Sequence, residues 1–342
     1  MNLSYRARRN LSRLGITLLI LILVVTVVWL CWVIWLERYV VYSDEGAKLN
    51  FDISAEDLSG VEAVPPAAGE TIGIYYNEGD QLIDPDNSLT QLVGYYVDTA
   101  TLLGGVAPVR QQIEALAPGT AIMVDMKSIY GNFFYSTKIS GAPTADAIDT
   151  AAMDQLISYL ESSSLYAIAR VPALRDRDYG ENHVSSGLPI EGGYLWSDDD
   201  NCYWLDPADS GTIAYLIQIA NELRELGFDE VVFTDFYFPE TDEIVYSSET
   251  PKSEILAKTA SDLVATCAGN TFAVSFETTD PTLRIPEGRS RLYLEGVDAS
   301  DVSGTVQQVT VTDTLVNLVF LSDTNDTRFN AYGVLRPLAN AK

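Results

Sequence analysis

Acidic side chains stand at the ends of several apolar runs that predict strands. Asp125, Asp235 and Glu277 each lie near the end of such a run, and Glu295 lies near the end of a later one. In glycoside cleavage, one carboxylic acid protonates the leaving oxygen while a second carboxylate attacks the sugar or activates water. We therefore expect Asp235 and Glu277 to act as the catalytic pair. The alternative is that they are ordinary solvated acids, since the chain has 48 of them.

Other polar and aromatic residues near these positions could contact a sugar. Aromatic rings stack on sugar faces and hydroxyl groups bind charged side chains. Asp125 and Lys127 could instead form a buried ion pair, Arg170 could be the structural partner of a carboxylate, and the Trp204–Asp206 segment could anchor a loop. The predicted substrate-binding residues are Asp125, Lys127, Arg170, Trp204, Asp206, Tyr237, Tyr293 and Glu295.

Strands and helices alternate along the segment that must position these residues. Helical stripes occur at 89–103, 146–160, 211–226 and 253–267, between runs typical of strands. The predicted strands are 71–77, 120–127, 166–174, 230–236, 271–277, 291–297 and 315–321.

This alternation predicts a parallel sheet, and for its length a (β/α)8 TIM-type barrel. A doubly wound sheet is the alternative, although no glycine-rich G-x-G-x-x-G follows the first strand. Only 65 residues follow Glu277, while a βα unit takes about 30. The closing units are therefore expected to lack some helices.

A long uncharged segment precedes this domain. Residues 14–36 contain no charged side chain and would span roughly 34 Å as a helix, enough to cross a bilayer. The segment lacks the small-residue cleavage site of a secretory signal peptide, which is the alternative. We expect four parts: a cytoplasmic basic flank (1–13), a transmembrane signal anchor (14–36), an extracytoplasmic tether (37–70) and the barrel (71–342).

Charge sets the orientation of the chain and limits its partners. Four arginines and no acidic residue precede the span, so the N-terminus is expected in the cytoplasm. Subtracting these four from 21 basic residues leaves 17 against 48 acidic ones, a net charge of −31 beyond the span. Such a surface does not favour nucleic acid. Cys202 and Cys267 could pair in an oxidising compartment.

Several blocks resemble a widespread bacterial family of glycoside-hydrolase barrels that is distantly similar to the alpha-amylase type. VDMKSIYGNFFYS (124–136) and YAIARV (166–171) are similar to its second and third strands. GYLWSDDDNCYWLDP (193–207) and LGFDEVVFTDFYFP (226–239) resemble its most distinctive block, and AVSFE (273–277) falls where the family has a Ser-x-Asp strand. The resemblance implies a barrel acting on a polysaccharide, with Glu277 as the acid of that strand.

The fourth strand departs from the family pattern. The family usually has Phe-Asp-Tyr there, whereas this chain has Phe233-Thr234-Asp235, and Tyr237 stands in the position of a family arginine. Strand alternation places Val232 and Thr234 toward the barrel axis, so Asp235 can reach the site only if the strand ends or bulges there. Otherwise the barrel has lost its hydrolytic pair.

Two functions follow. One is a glycoside hydrolase at the cell membrane, acting on a polysaccharide with no cofactor and no metal. The other is a catalytically degenerate barrel that binds cell-envelope glycan or a protein partner. The run from Asp198 to Asn201 could hold calcium through oxygen ligands, but it lacks the spacing of a calcium loop and is more typical of a solvated turn.

Overall fold

A closed barrel of parallel strands dominates the part of the chain that the computed structural model describes, residues 40–43, 46–49 and 89–340. Each strand pairs with the next along the chain, and the eighth pairs with the first. The predicted barrel is confirmed, and the doubly wound alternative is wrong. The strands are β1 Val93–Val97, β2 Ala121–Asp125, β3 Tyr166–Pro172, β4 Glu230–Thr234, β5 Ala273–Thr278, β6 Leu292–Leu294, β7 Leu318–Leu321 and β8 Gly333–Pro337.

Within residues 89–340, the three longest helices lie between β2 and β5, and the connections of the last strands contain only short helical turns. In this stretch the helices are α1 Thr99–Leu103, α2 Val106–Ile113, α3 Thr150–Ser162, α4 Arg177–Asn182, α5 Ser210–Glu225, α6 Lys252–Cys267 and α7 Val302–Val306. Only the five-residue α7 and a 3₁₀ turn, Thr327–Ala331, connect the last three strands. The expected loss of closing helices is therefore confirmed.

The first strand lies inside a segment that periodicity predicted as helix, 89–103, and this prediction is wrong. Gly94 explains the strand, because a Cβ there would lie 1.9 Å from the carbonyl oxygen of Ala121 on β2. The missing side chain lets the two backbones pair closely. Asp98 then caps α1 by accepting a hydrogen bond from the Thr101 backbone N–H. The predicted strand at 71–77 lies outside the described residues.

Strand alternation sorts the core into two layers. Val232 packs with Met123 and Ile168 in a cluster that takes residues from around the barrel, along its axis. Val231 and Phe233 pack instead in the cluster that includes the helices. The predicted orientation of β4 is therefore confirmed.

Before the barrel, the structure describes an antiparallel pair, Val40–Ser43 with Gly46–Leu49, at the start of the predicted tether. Among described residues, no helix has the length and apolar character needed to cross a bilayer. The predicted span, 14–36, lies outside them.

Candidate active site

Arg170 is the centre of a carboxylate cluster at the carboxyl ends of the strands. Its Nε and Nη2 donate to the two oxygens of Glu277 on β5, at 2.8 and 2.5 Å. Nη1 lies 3.5 Å from Asp125 on the neighbouring β2, and Nη2 lies 3.4 Å from Glu295, just after β6. One guanidinium thus serves three carboxylates, and this is the end of a barrel where active sites form.

Asp125 is held by the backbone as well as by Arg170. Its Oδ2 accepts hydrogen bonds from the Thr99 N–H and from the Thr99 hydroxyl, both at 2.7 Å. Burial raises the pKa of the Asp125 carboxyl, against the pull of Arg170 and Thr99. These contacts fix the start of α1 against β2, and they give Asp125 a supporting position beneath the cluster.

Glu277 is the most enclosed acid of the cluster, with a side chain only 2% exposed. Burial raises its pKa to about 7, although the Arg170 charge opposes this effect. Arg170 does not hold the pKa low because burial has the larger effect and the negative charge of Glu295 adds to it. A carboxyl group that binds its proton near neutral pH is suited to general acid catalysis.

Asp235 leaves the strand and joins the charged end of the barrel. β4 ends at Thr234, and Asp235 has a φ of 52°, in the left-handed region that few non-glycine residues adopt. Burial raises its pKa, while Arg175 and Arg170 draw it down. Among residues 89–340 no hydrogen bond reaches its carboxylate. The sharp turn after Thr234 is the break in the strand that Asp235 needs to face the site.

A cavity of about 920 Å³ opens beside this cluster, over the ends of β1, β6, β7 and β8. Arg170 and Glu295 are part of its wall, whereas Asp235 and Glu277 are not among the described residues that line it. Much of the remaining wall is acidic or aromatic, including Tyr96, Asp98, Asp298 and Asp323. The short connections of the last three strands leave this space open.

Two aromatic rings lie near Asp235: Trp204 in the connection between β3 and β4, and Tyr237 just after β4. Tyr237 packs against Trp204 with ring centroids 4.8 Å apart, and the charge of Asp235 contributes to the raised pKa of Tyr237. Trp204 itself is buried, and its Nε1 donates to Asp198 at 3.0 Å. The contacts favour the loop-anchor alternative for Trp204, while Tyr237 keeps a half-buried position next to Asp235.

Asp206 also has the contacts of a loop residue. Its Oδ1 accepts from the Tyr246 hydroxyl at 2.9 Å and from the Ala208 N–H at 2.8 Å. The second bond closes the turn that leads into α5, whose cap is Asp209. The predicted binding role of Asp206 thus has a structural alternative in these bonds.

Lys127 was predicted to bind substrate or to pair with Asp125, and both interpretations are wrong. Its Nζ lies 2.6 Å from Asp176, and neither side chain is exposed. Asp176 also accepts from the Tyr215 hydroxyl, at 3.0 Å. Because β2 ends at Asp125, strand alternation no longer places Lys127 beside it. Lys127 is part of a buried ion pair that supports the loop after β3.

Tyr293 is a second correction, since its side chain lies inside the barrel rather than at the substrate end. The Tyr293 hydroxyl donates to Glu230, the first residue of β4, at 3.0 Å. Glu230 also pairs with Arg291 and accepts from Tyr166. This closed network fills the opposite end of the barrel and leaves Tyr293 no route to a ligand.

Arg175 is a charged neighbour of Asp235 that sequence reasoning missed. Its Nε and Nη2 each lie 2.5 Å from a carboxylate, of Asp198 and Asp200 respectively. The run that could have held calcium therefore clamps an arginine. No local motif signals this contact, because the partners are more than 20 positions apart. Cys202 and Cys267 are both buried and free, not paired.

An eight-stranded barrel with clustered carboxylates at its carboxyl end has the groups that glycoside hydrolysis needs, on a fold that also supports other chemistries. Residues 105–271 match a family model described as "Putative glycosyl hydrolase domain", and this match supports assignment as a glycoside-hydrolase-type enzyme. The matched range includes Asp125, Arg170 and Asp235, but ends before Glu277 and Glu295. No curated protein matches the chain.

Among solved structures, a hypothetical protein from Ruminiclostridium thermocellum is 22% identical over 53% of this chain and 96% of its own, with a TM-score of 0.45. A GH36 alpha-galactosidase from Geobacillus stearothermophilus is 10% identical over 75% of this chain, with a TM-score of 0.49. A GH20 exo beta-N-acetylglucosaminidase from Vibrio harveyi is 12% identical over 68%, with a TM-score of 0.47. The chain spans 40% and 41% of the lengths of these two enzymes.

Proposed function

We propose that this protein is a membrane-anchored, extracytoplasmic glycoside hydrolase that cleaves a polysaccharide by carboxylate acid/base chemistry. The observation that carries the proposal is the position of Asp235 and Glu277. They come from adjacent strands at the carboxyl end of the barrel, and the Arg170 charge acts on both. Paired carboxylates at this end are the arrangement that glycoside cleavage uses.

The two acids have surroundings that suit different roles. Glu277, with its pKa of about 7, holds a proton near neutral pH and is the proposed general acid. Burial raises the pKa of Asp235, and the charges of Arg175, Arg170 and Lys127 oppose this rise by favouring its ionised form. Asp235 is therefore the proposed nucleophile or base. Tyr237 and the walls of the cavity would hold the sugar units on either side of the bond.

The cellular location is proposed from the sequence. Residues 14–36 would anchor the chain, with the four preceding arginines in the cytoplasm and the barrel outside. A cell-envelope or environmental polysaccharide is the substrate that a domain in this location would meet. Protease treatment of intact cells tests this location, because an extracytoplasmic barrel is accessible without lysis.

The activity is tested with the full chain in detergent micelles and a panel of polysaccharides and cell-envelope glycans. Asp235→Asn and Glu277→Gln should each lower the release of reducing ends by about 100- to 10,000-fold. Glu249→Gln is the matched control, since Glu249 is exposed and lies at the far end of the connection that follows β4, next to the start of α6. Hydrolysis that survives both substitutions would rule out this pair.

A second function, glycan binding without turnover, has two observations in its favour. Thr234 stands where the resembled family has its carboxylate, and both oxygens of Glu277 are occupied by Arg170. The same panel separates the two functions by calorimetry. Binding of a glycan with no release of reducing ends would favour the degenerate barrel, and robust turnover would eliminate it.

A further inference from the structure

A single nitrogen of Arg170 is shared between two glutamates. Nη2 lies 2.5 Å from Glu277 Oε1 and 3.4 Å from Glu295 Oε2. The contact with Glu277 is part of a bidentate pair, whereas the contact with Glu295 is longer and involves one nitrogen only. The guanidinium therefore needs only a small displacement to exchange its stronger partner.

The two glutamates differ in their access to solvent. The Glu277 side chain is 2% exposed, and that of Glu295 is 57% exposed. Glu295 lines the cavity together with Arg170. When Glu277 takes up a proton, Arg170 loses the negative charge of its closest partner. Glu295 is then the carboxylate within reach of Arg170 on the side that faces the cavity.

The other charged groups around this pair are already engaged or more distant. Asp125 faces Arg170 from β2 and is held by Thr99. Asp235, after β4, interacts electrostatically with Arg170 and with Glu295. None of these is bound to Arg170 as closely as Glu277 is, within the described part of the chain.

We propose that Glu295 and Arg170 are positioning residues for Glu277: Arg170 holds the ionised Glu277 and moves toward Glu295 when Glu277 takes up a proton. This inference rests on the proposed role of Glu277 as the acid. In the cycle, the Glu277 proton passes to the leaving oxygen as the C–O bond breaks, and that oxygen keeps the bonding electrons. The sugar carbon forms its new bond to the Asp235 carboxylate or to the water that Asp235 activates. The Glu277 carboxylate left behind rebinds Arg170 until it takes a new proton from water.

The contributions to the pKa of Glu277 have the directions that this exchange requires. The Arg170 charge lowers its pKa, whereas the Glu295 charge and the hydrogen bond that protonated Glu277 donates to Glu295 raise it. Loss of Glu295 removes both the like charge and the competing partner of Arg170. Loss of the Arg170 fork removes the group that favours the ionised form. The two substitutions should therefore act in opposite directions.

The test is a carboxyl titration of the full chain in micelles, followed by ¹³C NMR of glutamate labelled at Cδ. The Glu277→Gln variant identifies the Glu277 resonance. Glu295→Gln should lower the pH midpoint of Glu277 by about half a pH unit or more. Arg170→Gln should raise it, and Glu249→Gln, the same chemical change at an exposed position, should leave it in place.

Activity gives an independent reading of the same coupling. An acid must be protonated to act, so Glu295→Gln should move the alkaline limb of the kcat profile to lower pH. A Glu277 midpoint that is the same in Glu295→Gln and Glu249→Gln would overturn the proposal, whether or not the chain folds with Arg170→Gln. Movement of the midpoint in a chain that cleaves no glycan would support the coupling and contradict the proposed function.

Discussion

The two ends of the barrel each contain a buried arginine bound to a glutamate, and they differ in the number of carboxylates around that arginine and in their access to solvent. At the amino end, Arg291 pairs with Glu230, and its remaining nitrogens donate to the Thr90 and Val316 carbonyls. Hydroxyl groups of Tyr166, Ser275 and Tyr293 fill the remaining positions on the Glu230 carboxylate. This end is closed to solvent.

At the carboxyl end the same residue types are arranged with acids in excess. Arg170 meets three carboxylates, Asp235 has a strained backbone and no hydrogen bond in the described chain, and a cavity adjoins the group. A charge pair closed off from solvent indicates a structural role, whereas an excess of acids beside open space indicates a candidate site for chemistry. An arginine–glutamate pair is therefore structural at one end of the barrel and a candidate for chemistry at the other. The surrounding groups and the access of solvent decide between the two roles.

The largest effect that tests this contrast between the two ends is expected at the closed amino end. Glu230→Gln should lower the free energy of unfolding by about 3–5 kcal/mol, because it leaves Arg291 buried without its counter-charge. Urea denaturation of the full chain measures the loss. Glycan hydrolysis per folded molecule should stay at the wild-type level, since this network is at the end away from the cavity.

Glu249→Gln provides the control for this substitution, because the same change at an exposed loop position should cost little. A loss below about 1 kcal/mol in Glu230→Gln would show that the closed network adds little to stability. The contrast between the two ends would then rest on access alone.

A smaller effect is expected at the open end, and it depends on pH. The pKa of Glu277 is about 7 in the folded chain against an ordinary value of 4.5. Between these values the folded state binds a proton that the unfolded state has released, so the free energy of unfolding falls as pH rises. The fall amounts to at most about 3 kcal/mol.

Glu277→Gln cannot titrate, so this contribution should be absent from the variant. Urea denaturation at a series of pH values between 4.5 and 8 measures it as the difference between wild type and variant. The variant should gain stability relative to wild type as pH rises through this window. Parallel curves would mean that Glu277 ionises at its ordinary pH despite its burial.

The helices and strands with regular hydrophobic periodicity could be predicted from the sequence. The stripe that predicted α5 and the runs that predicted β2 to β7 depend on neighbours in sequence, and these elements formed. The ion pairs depend on closure of the barrel: Glu230 and Arg291 are 61 positions apart, and Lys127 and Asp176 come from different loops. No local pattern encodes such partners. β1 was missed because its aromatic and β-branched residues also fit a helical stripe.

Asp235 shows the same limit at a single residue. Alternation along β4 was predicted correctly as far as Thr234, and it would have turned Asp235 away from the axis. The left-handed backbone at Asp235 overrides this alternation. A change of φ at one strand end is set by the loop that follows and by the charges around it, so sequence spacing could not decide it.

The smallest expected effect separates the backbone of Asp235 from its carboxylate. Asp235→Gly should raise the free energy of unfolding by about 0.5–1 kcal/mol, since glycine adopts positive φ without a steric penalty and the desolvated acid is removed. The same variant should abolish hydrolysis. Asn201→Gly is the matched control, because Asn201 has a φ of 56° in an exposed turn. It should relieve a similar strain and retain activity. If Asp235→Gly keeps its activity, the strained turn after β4 is a feature of the loop alone, and the open end of the barrel loses its proposed nucleophile.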